Sequence, residues 1–143
     1  MDPRVFLELA EELSERTDSE AAQRTSVSRS YYALYLLLHK FLKSKGISLP
    51  DTAVAHERVY RYLHNCGLQE VRSVASHLND LRDERNIADY QLEETEFRDA
   101  RVASLLFNKA QKAYDSFQEC ISDEENAGHV VRGINAYRKK TNT

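Results

Sequence analysis

Residues 78–90 read Leu78-Asn79-Asp80-Leu81-Arg82-Asp83-Glu84-Arg85-Asn86-Ile87-Ala88-Asp89-Tyr90. The residues before and within this stretch form an apolar series with spacings of three and four, which is typical of one face of a helix. The series consists of Leu68, Val71, Val74, Leu78 and Leu81. Seven residues after Leu78, where the same face returns, the chain has Arg85. A buried guanidinium without a partner is unfavourable, so Arg85 must meet an anion, a hydrogen-bond network or an opening in the surface.

Asp89 and Tyr90 follow Arg85 at the end of the same predicted helix. Asp89 lies one turn beyond Arg85 and can pair with it, while Tyr90 adds a phenol at the same place. A polar cluster that interrupts a regular apolar pattern predicts a functional site. The alternative interpretation is a structural ion pair between Arg85 and Asp89 that sets the helix register, with Tyr90 covering the core.

The composition is that of one helical domain. The 143 residues include only four glycines and two prolines, and 30% are charged, which suits long amphipathic helices. The net charge of −3 argues against a protein that coats nucleic acid, yet it allows a small basic site for one phosphate. The two cysteines lack zinc-site spacing and the five histidines lack an HxxxH or HExxH pattern. We therefore predict no metal site and no cofactor.

Signals for membrane insertion or export are missing from this sequence. No apolar run approaches the roughly 18 residues of a membrane span, and residues 1–4 begin a helix rather than a signal peptide. The sequence also contains no Gly-rich phosphate loop and no GxSxG nucleophile motif. We expect a cytoplasmic protein that does not contact a membrane.

Six helices are predicted from apolar spacing and capping signals. Their approximate ranges are 3–17, 18–45, 52–65, 68–90, 95–121 and 127–139, with 123–126 as a break and Thr95 as a cap. Predicted core positions include Val5, Leu9, Val54 and Leu105. The apolar belt at 35–38 indicates that the second helix is central or touches a second subunit.

Short connections make sequential helices neighbours, so we expect an all-α fold. Its architecture should be an antiparallel up-and-down bundle of four to five main helices plus a short C-terminal helix. We assign residues 1–125 to the bundle and residues 126–143 to the short C-terminal helix and basic tail.

A second polar feature, Ser28-Arg29-Ser30-Tyr31-Tyr32-Ala33, lies on the second predicted helix. Successive helical residues point about 100° apart, so both tyrosines cannot share one face. If Tyr31 packs in the core, Tyr32 and Arg29 point together along a neighbouring face. With Arg85 they would form a site of guanidiniums and phenols that suits a phosphate. The alternative is that Arg29 is solvated and both tyrosines are packing residues.

Together, the two stretches resemble the HEPN superfamily, and most closely its small stand-alone bacterial and archaeal members with an Arg-x-x-Ala-Asp-Tyr signature. In this chain the signature reads Arg85-Asn86-Ile87-Ala88-Asp89-Tyr90, and the resemblance extends over residues 3–121. It implies a bundle that dimerises around its motif helices. Many HEPN proteins are metal-independent endoribonucleases of toxin–antitoxin, CRISPR and other defence systems.

The chain departs from the catalytic HEPN motif at one position. That motif has an arginine, a polar residue and then a histidine, and Arg85 and Asn86 match its first two members. Where the histidine is expected the chain has Tyr90, Gln91 and Leu92. A phenol with an ordinary pKa of about 10 is a poor general base at neutral pH.

The resemblance therefore favours a homodimer that binds a nucleotide or single-stranded RNA by its phosphate, in a toxin–antitoxin or defence module. The expected ligand-binding residues are Arg29, Tyr32, Arg85, Asn86, Asp89 and Tyr90. One alternative is a metal-independent endoribonuclease in which Arg85 and Tyr90 are catalytic and the base is Asp89, Tyr90 or a histidine from elsewhere. The other is a non-enzymatic dimeric module that partners a nucleotidyltransferase, which can modify Tyr90, or an antitoxin protein.

Overall fold

The computed structural model describes residues 1–143, and all of its regular elements are helices. The six α-helices are α1 (Arg4–Ser14), α2 (Glu20–Ser44), α3 (Val54–His64), α4 (Gln69–Tyr90), α5 (Ala100–Ser122) and α6 (Glu124–Thr141). A short 3₁₀ turn, Glu96–Arg98, precedes α5. This confirms the predicted all-α bundle of main helices with a short C-terminal helix. None of the helices combines the length and the apolar composition that a membrane span requires.

Helix α2 is the central element, and it packs against α1, α3, α4 and α5. Ser19 caps its beginning, where the Ser19 hydroxyl accepts a hydrogen bond from the Ala22 amide at 3.1 Å. The chain leaves α2 through Gly46, whose φ of +76° is rarely adopted by other residues. Both ends were therefore predictable from local sequence.

The apolar belt at 35–38 is covered within the chain. Tyr35, Leu37 and Leu38 are buried, and Leu36 packs against the core from a half-buried position. The central place of α2 accounts for the burial of most of this belt, as one of the two interpretations of the belt predicted.

Two helix starts differ from the prediction because an aspartate caps each of them. Helix α5 starts at Ala100 rather than near Thr95, and Asp99 accepts the Arg101 amide at 2.9 Å. Helix α6 starts within the predicted break, where Asp123 accepts the Glu125 amide at 2.9 Å. Aspartate oxygens bond well to the free amides of a first helical turn, and this local preference decided both starts.

Four large apolar residues that were predicted to face the core point outward instead. Val5 and Leu9 in α1 are 47% and 39% exposed, Val54 in α3 is 49% exposed, and Leu105 in α5 is 66% exposed. The position of α1 is set by contacts with α2, where the buried Ser26 hydroxyl donates to the Ala10 carbonyl at 2.7 Å. The buried residues of α1 are Leu7, Ala10 and Ser14.

Helix α6 shares the main core with the rest of the chain. Its residues Val130 and Ile134 are fully buried and belong to the same apolar cluster as residues of α1 to α5. Gly133 lies so close to the loop after α3 that a Cβ atom there would overlap the Cys66 carbonyl. The core is thus continuous across the predicted boundary at residue 125.

Gly133→Ala should lower the free energy of unfolding by about 1–3 kcal/mol, because the added methyl group forces α6 away from Cys66. Urea unfolding monitored by circular dichroism measures the change. Gly128→Ala is the matched control: its Cβ would meet only the flexible Arg132 side chain, at 3.0 Å. The free energy of unfolding of this control should rise by up to about 1 kcal/mol, because alanine has a higher helix propensity than glycine. Equal stability of the two variants would contradict the close contact at Gly133.

Candidate functional site

The apolar face of α4 ends at Arg85, as its sequence pattern predicted. Val71, Val74, Leu78 and Leu81 are buried, whereas the Arg85 side chain keeps 15% of its surface exposed. The guanidinium therefore sits at the edge of the core, where a charge must be compensated by hydrogen bonds or by a counter-charge.

Three side chains compensate the Arg85 guanidinium. Its Nε donates to Asp89 Oδ2 at 3.0 Å, Nη1 donates to Asn86 Oδ1 at 3.1 Å, and Nη2 donates to the Tyr32 hydroxyl at 2.7 Å. Each of the two terminal nitrogens still has one further N–H group. The guanidinium is thus held in a fixed orientation and can still donate to a ligand.

Asp89 is held from two helices at once. Its Oδ2 accepts from Arg85 on α4, and it also accepts from the buried Ser28 hydroxyl on α2 at 3.2 Å. Ser28 also accepts a longer bond, of 3.4 Å, from Arg29 Nη2. The structure thus connects the two sequence stretches through Ser28 and Asp89.

Aromatic rings and guanidiniums alternate across the surface that joins α1, α2 and α4. Arg29 lies 5.2 Å from the Phe6 ring centre and 5.0 Å from that of Tyr32, and Arg85 lies 5.0 Å from Tyr32 and 5.5 Å from Tyr90. Such contacts are attractive because a cation interacts with the negative face of a ring. The structure thus brings together all six residues that were expected to bind a ligand.

Tyr90 differs from the other aromatic residues of this surface because 70% of it is exposed. Tyr31 is completely buried, and Tyr32 is half-buried beside it. The expected division of the tyrosine pair, with Tyr31 in the core and Tyr32 next to Arg29, is what the structure shows. The Tyr90 ring leaves a flat aromatic surface open to solvent next to a guanidinium.

His56 on α3 also belongs to this cluster, and the sequence analysis missed it. Its ring stacks on Tyr35 with a centre-to-centre distance of 4.0 Å and an angle of 9° between planes. Its Nδ1 shares a hydrogen bond with the Tyr31 hydroxyl. A single histidine on a short helix has no spacing that would link it to residues on α2 and α4, so no sequence signal pointed to it.

The protonation of His56 follows from its surroundings. Burial, with the nearby positive charges of Arg82 and Arg85, lowers the pKa of His56 to about 4, so the ring is neutral at pH 7. Burial raises the pKa of Tyr31, which keeps its hydroxyl proton. That hydroxyl has no other partner, so it donates to Nδ1 and leaves the ring proton on Nε2. His56 therefore offers an N–H donor rather than a base.

Arg82 is the second residue that the sequence analysis missed. It precedes Arg85 by three positions, so the two side chains are neighbours on one face of α4, and this spacing could have revealed it. Arg82 is half-buried, and neither it nor Arg29 belongs to any of the seven ion pairs in the chain. The three arginines thus have one ion-paired carboxylate between them, Asp89.

This arrangement can bind an anion. Guanidiniums bind phosphate and carboxylate groups through paired, charge-assisted hydrogen bonds, and partial burial strengthens these bonds. No three His, Cys, Asp or Glu side chains lie close enough together to hold a metal ion. The chemistry that the site supports is therefore electrostatic binding by fixed N–H donors beside aromatic rings.

The stability of the protein should fall as the pH is lowered from 6.5 to 4. In this window the unfolded chain protonates His56 while the folded chain does not, so unfolding takes up a proton. The free energy of unfolding should decrease by about 1–2 kcal/mol over this pH range, after allowance for solvent screening of a half-buried ring. His56→Asn should flatten this part of a stability–pH profile, whereas the exposed His129→Asn control should keep the wild-type slope. An unchanged slope in His56→Asn would contradict the lowered pKa.

No protein-family model, curated protein or solved structure matches this chain. The resemblance to the HEPN superfamily accordingly remains a prediction from the two sequence stretches that meet at this site.

Proposed function

We propose that the chain is a HEPN-type helical bundle that binds the phosphate of a nucleotide or of single-stranded RNA at Arg85. One observation carries this proposal: Arg29 and Arg85 lie against the same Tyr32 ring, Arg82 lies one helical turn before Arg85, and Asp89 is their single ion-paired carboxylate. The chain as a whole has a net charge of −3, whereas this cluster carries a local excess of positive charge. Such a local excess attracts anions and raises their concentration near the site.

The aromatic surroundings favour a nucleotide over a small inorganic anion. Tyr90 exposes its ring beside Arg85, and an exposed ring next to a cation can stack on a base while the cation binds the phosphate. Stacking on an aromatic side chain accepts any base, so we expect weak sequence preference.

The geometry supports binding better than cleavage. Metal-free cleavage of RNA needs a base to take the proton of the ribose 2′-hydroxyl. His56 presents Nε2–H, and Asp89 Oδ2 already accepts from both Arg85 and Ser28. His56 therefore lacks the free acceptor that the endoribonuclease alternative requires, and Asp89 keeps only Oδ1 free for that role.

The biological setting of the proposal comes from the family resemblance alone. It comprises a cytoplasmic homodimer in a toxin–antitoxin or defence module, with an antitoxin or a nucleotidyltransferase as the protein partner. Light scattering over micromolar concentrations tests the homodimer directly, and a monomer mass throughout would contradict it.

Arg82→Gln should weaken the binding of a fluorescently labelled single-stranded RNA about ten-fold or more. A hydrogen bond to a charged group contributes about 1.5–3 kcal/mol, and Arg82 has no ion pair whose loss would disturb the fold. Fluorescence anisotropy at several salt concentrations measures the effect. The slope of log affinity against log salt should fall by about 0.7 for the lost phosphate contact.

Arg72→Gln is the matched control, since Arg72 is an exposed arginine on the same helix and lies outside the cluster. It should keep wild-type affinity at moderate salt. A parallel titration with ATP shows whether a single nucleotide suffices, and a gel of the same samples reveals any cleavage. Equal losses in both variants would mean that binding is unspecific, and cleaved RNA would favour the endoribonuclease alternative.

A further inference from the structure

Helix α4 ends without a glycine cap or a basic residue in its last turn, either of which commonly satisfies free carbonyl groups at a helix end. The last carbonyls of a helix lack helical partners, and a glycine just after the helix commonly helps to satisfy them. Here the residue after the helix is Gln91, with φ of −112° and ψ of 75°, and the last turn contains no basic residue. Local amides reach only the Ile87 and Gln91 carbonyls, and further donors come from another part of the chain.

Arg24 on α2 supplies these donors. The side chain is buried, with 6% of the residue exposed, and its guanidinium donates to five backbone carbonyls at the end of α4 and in the turn after it. They are those of Ile87 at 3.3 Å, Ala88 at 2.9 Å, Gln91 at 3.2 Å, Leu92 at 3.3 Å and Glu94 at 2.7 Å. A positive charge here also interacts favourably with the negative end of the helix dipole.

The same face of α2 carries the contacts to the anion site. Arg24, Ser28 and Tyr32 follow each other at intervals of four, so they form one polar stripe. Arg24 holds the backbone that ends α4, Ser28 donates to Asp89, and Tyr32 accepts from Arg85. Asp89 belongs to the turn of α4 whose carbonyls Arg24 binds, and therefore its place depends on that contact.

We propose that Arg24 is a positioning residue of the anion site. It fixes the last turn of α4 against α2 so that Asp89 stays on Arg85 and Tyr90 stays beside it. The rest of α4 does not need this contact, because Leu78 and Leu81 anchor it in the core. Loss of Arg24 should therefore disorder the end of α4 selectively and release the Arg85 guanidinium from its fixed orientation.

The adjacent residue Gln23 provides a control for stability alone. It is 2% exposed, and its Nε2 donates to the carbonyls of Leu13 and Ser14 in the last turn of α1 and of Arg16 just after it. Gln23 thus performs the same kind of capping at a helix end that lies outside the anion site. Gln23→Met and Arg24→Met remove capping contacts from two different helix ends, and Arg24→Met also removes the ion pair with Glu20.

Arg24→Lys is the conservative variant and keeps the experiment informative if Arg24→Met does not fold. Lysine retains the positive charge but has fewer donors and lacks the planar fork that reaches several carbonyls at once. Hydrogen exchange followed by mass spectrometry should show faster exchange in residues 86–95 of Arg24→Lys and unchanged exchange in residues 69–84. Gln23→Met should instead accelerate exchange near residues 14–17.

The binding readout rests on the proposed function and uses the same labelled single-stranded RNA. At a temperature where all variants are folded, Arg24→Lys should bind about ten-fold more weakly than the wild type, and Gln23→Met should bind normally. Uniformly faster exchange in Arg24→Lys, or normal binding despite a mobile end of α4, would overturn the positioning role. A wild-type protein that binds no RNA would contradict the proposed function alone, and the exchange pattern would still decide how α4 is held.

Discussion

Two guanidinium groups sit between α2 and α4, and each must replace the hydration that it loses on folding. Arg24 does so with the Glu20 carboxylate and with backbone carbonyls of the segment that ends α4. Arg85 uses Asp89, Asn86 and the Tyr32 hydroxyl. A buried charge with missing partners would cost several kcal/mol, so α2 and α4 can pack only in the position that satisfies both groups. The position of the anion site therefore follows from the way α2 and α4 pack together.

Helix α2 serves the core and the site with different faces. Tyr31 and Leu38 are fully buried, while Ser28 and Tyr32 direct polar groups toward α4. The ion pair between Arg85 and Asp89, on which the alternative interpretation of Arg85 as a structural residue rests, is present. That interpretation does not account for Arg82, which lies one turn before Arg85 and has no ion pair with a carboxylate.

Local patterns predicted most of the helix boundaries. The ends of α2 followed from Ser19 and Gly46, and the end of α4 was placed at Tyr90. The errors arose where two local signals competed, as at Asp99, or where docking rather than periodicity selected the buried face, as for Val5 and Leu9. A stripe of alternating apolar and charged residues allows more than one orientation, and the neighbouring helix selects among them.

By itself, the sequence determined that the chain is a helical bundle and that Arg85, Asp89 and Tyr90 interrupt an apolar face. Helical periodicity is a local property, so residues of one helix can be placed relative to each other without knowledge of the fold. Only the tertiary structure decided that His56 reaches Tyr31 and that Arg24 closes the end of α4. These contacts join residues distant in the chain, and their energies depend on packing between helices that no local spacing encodes.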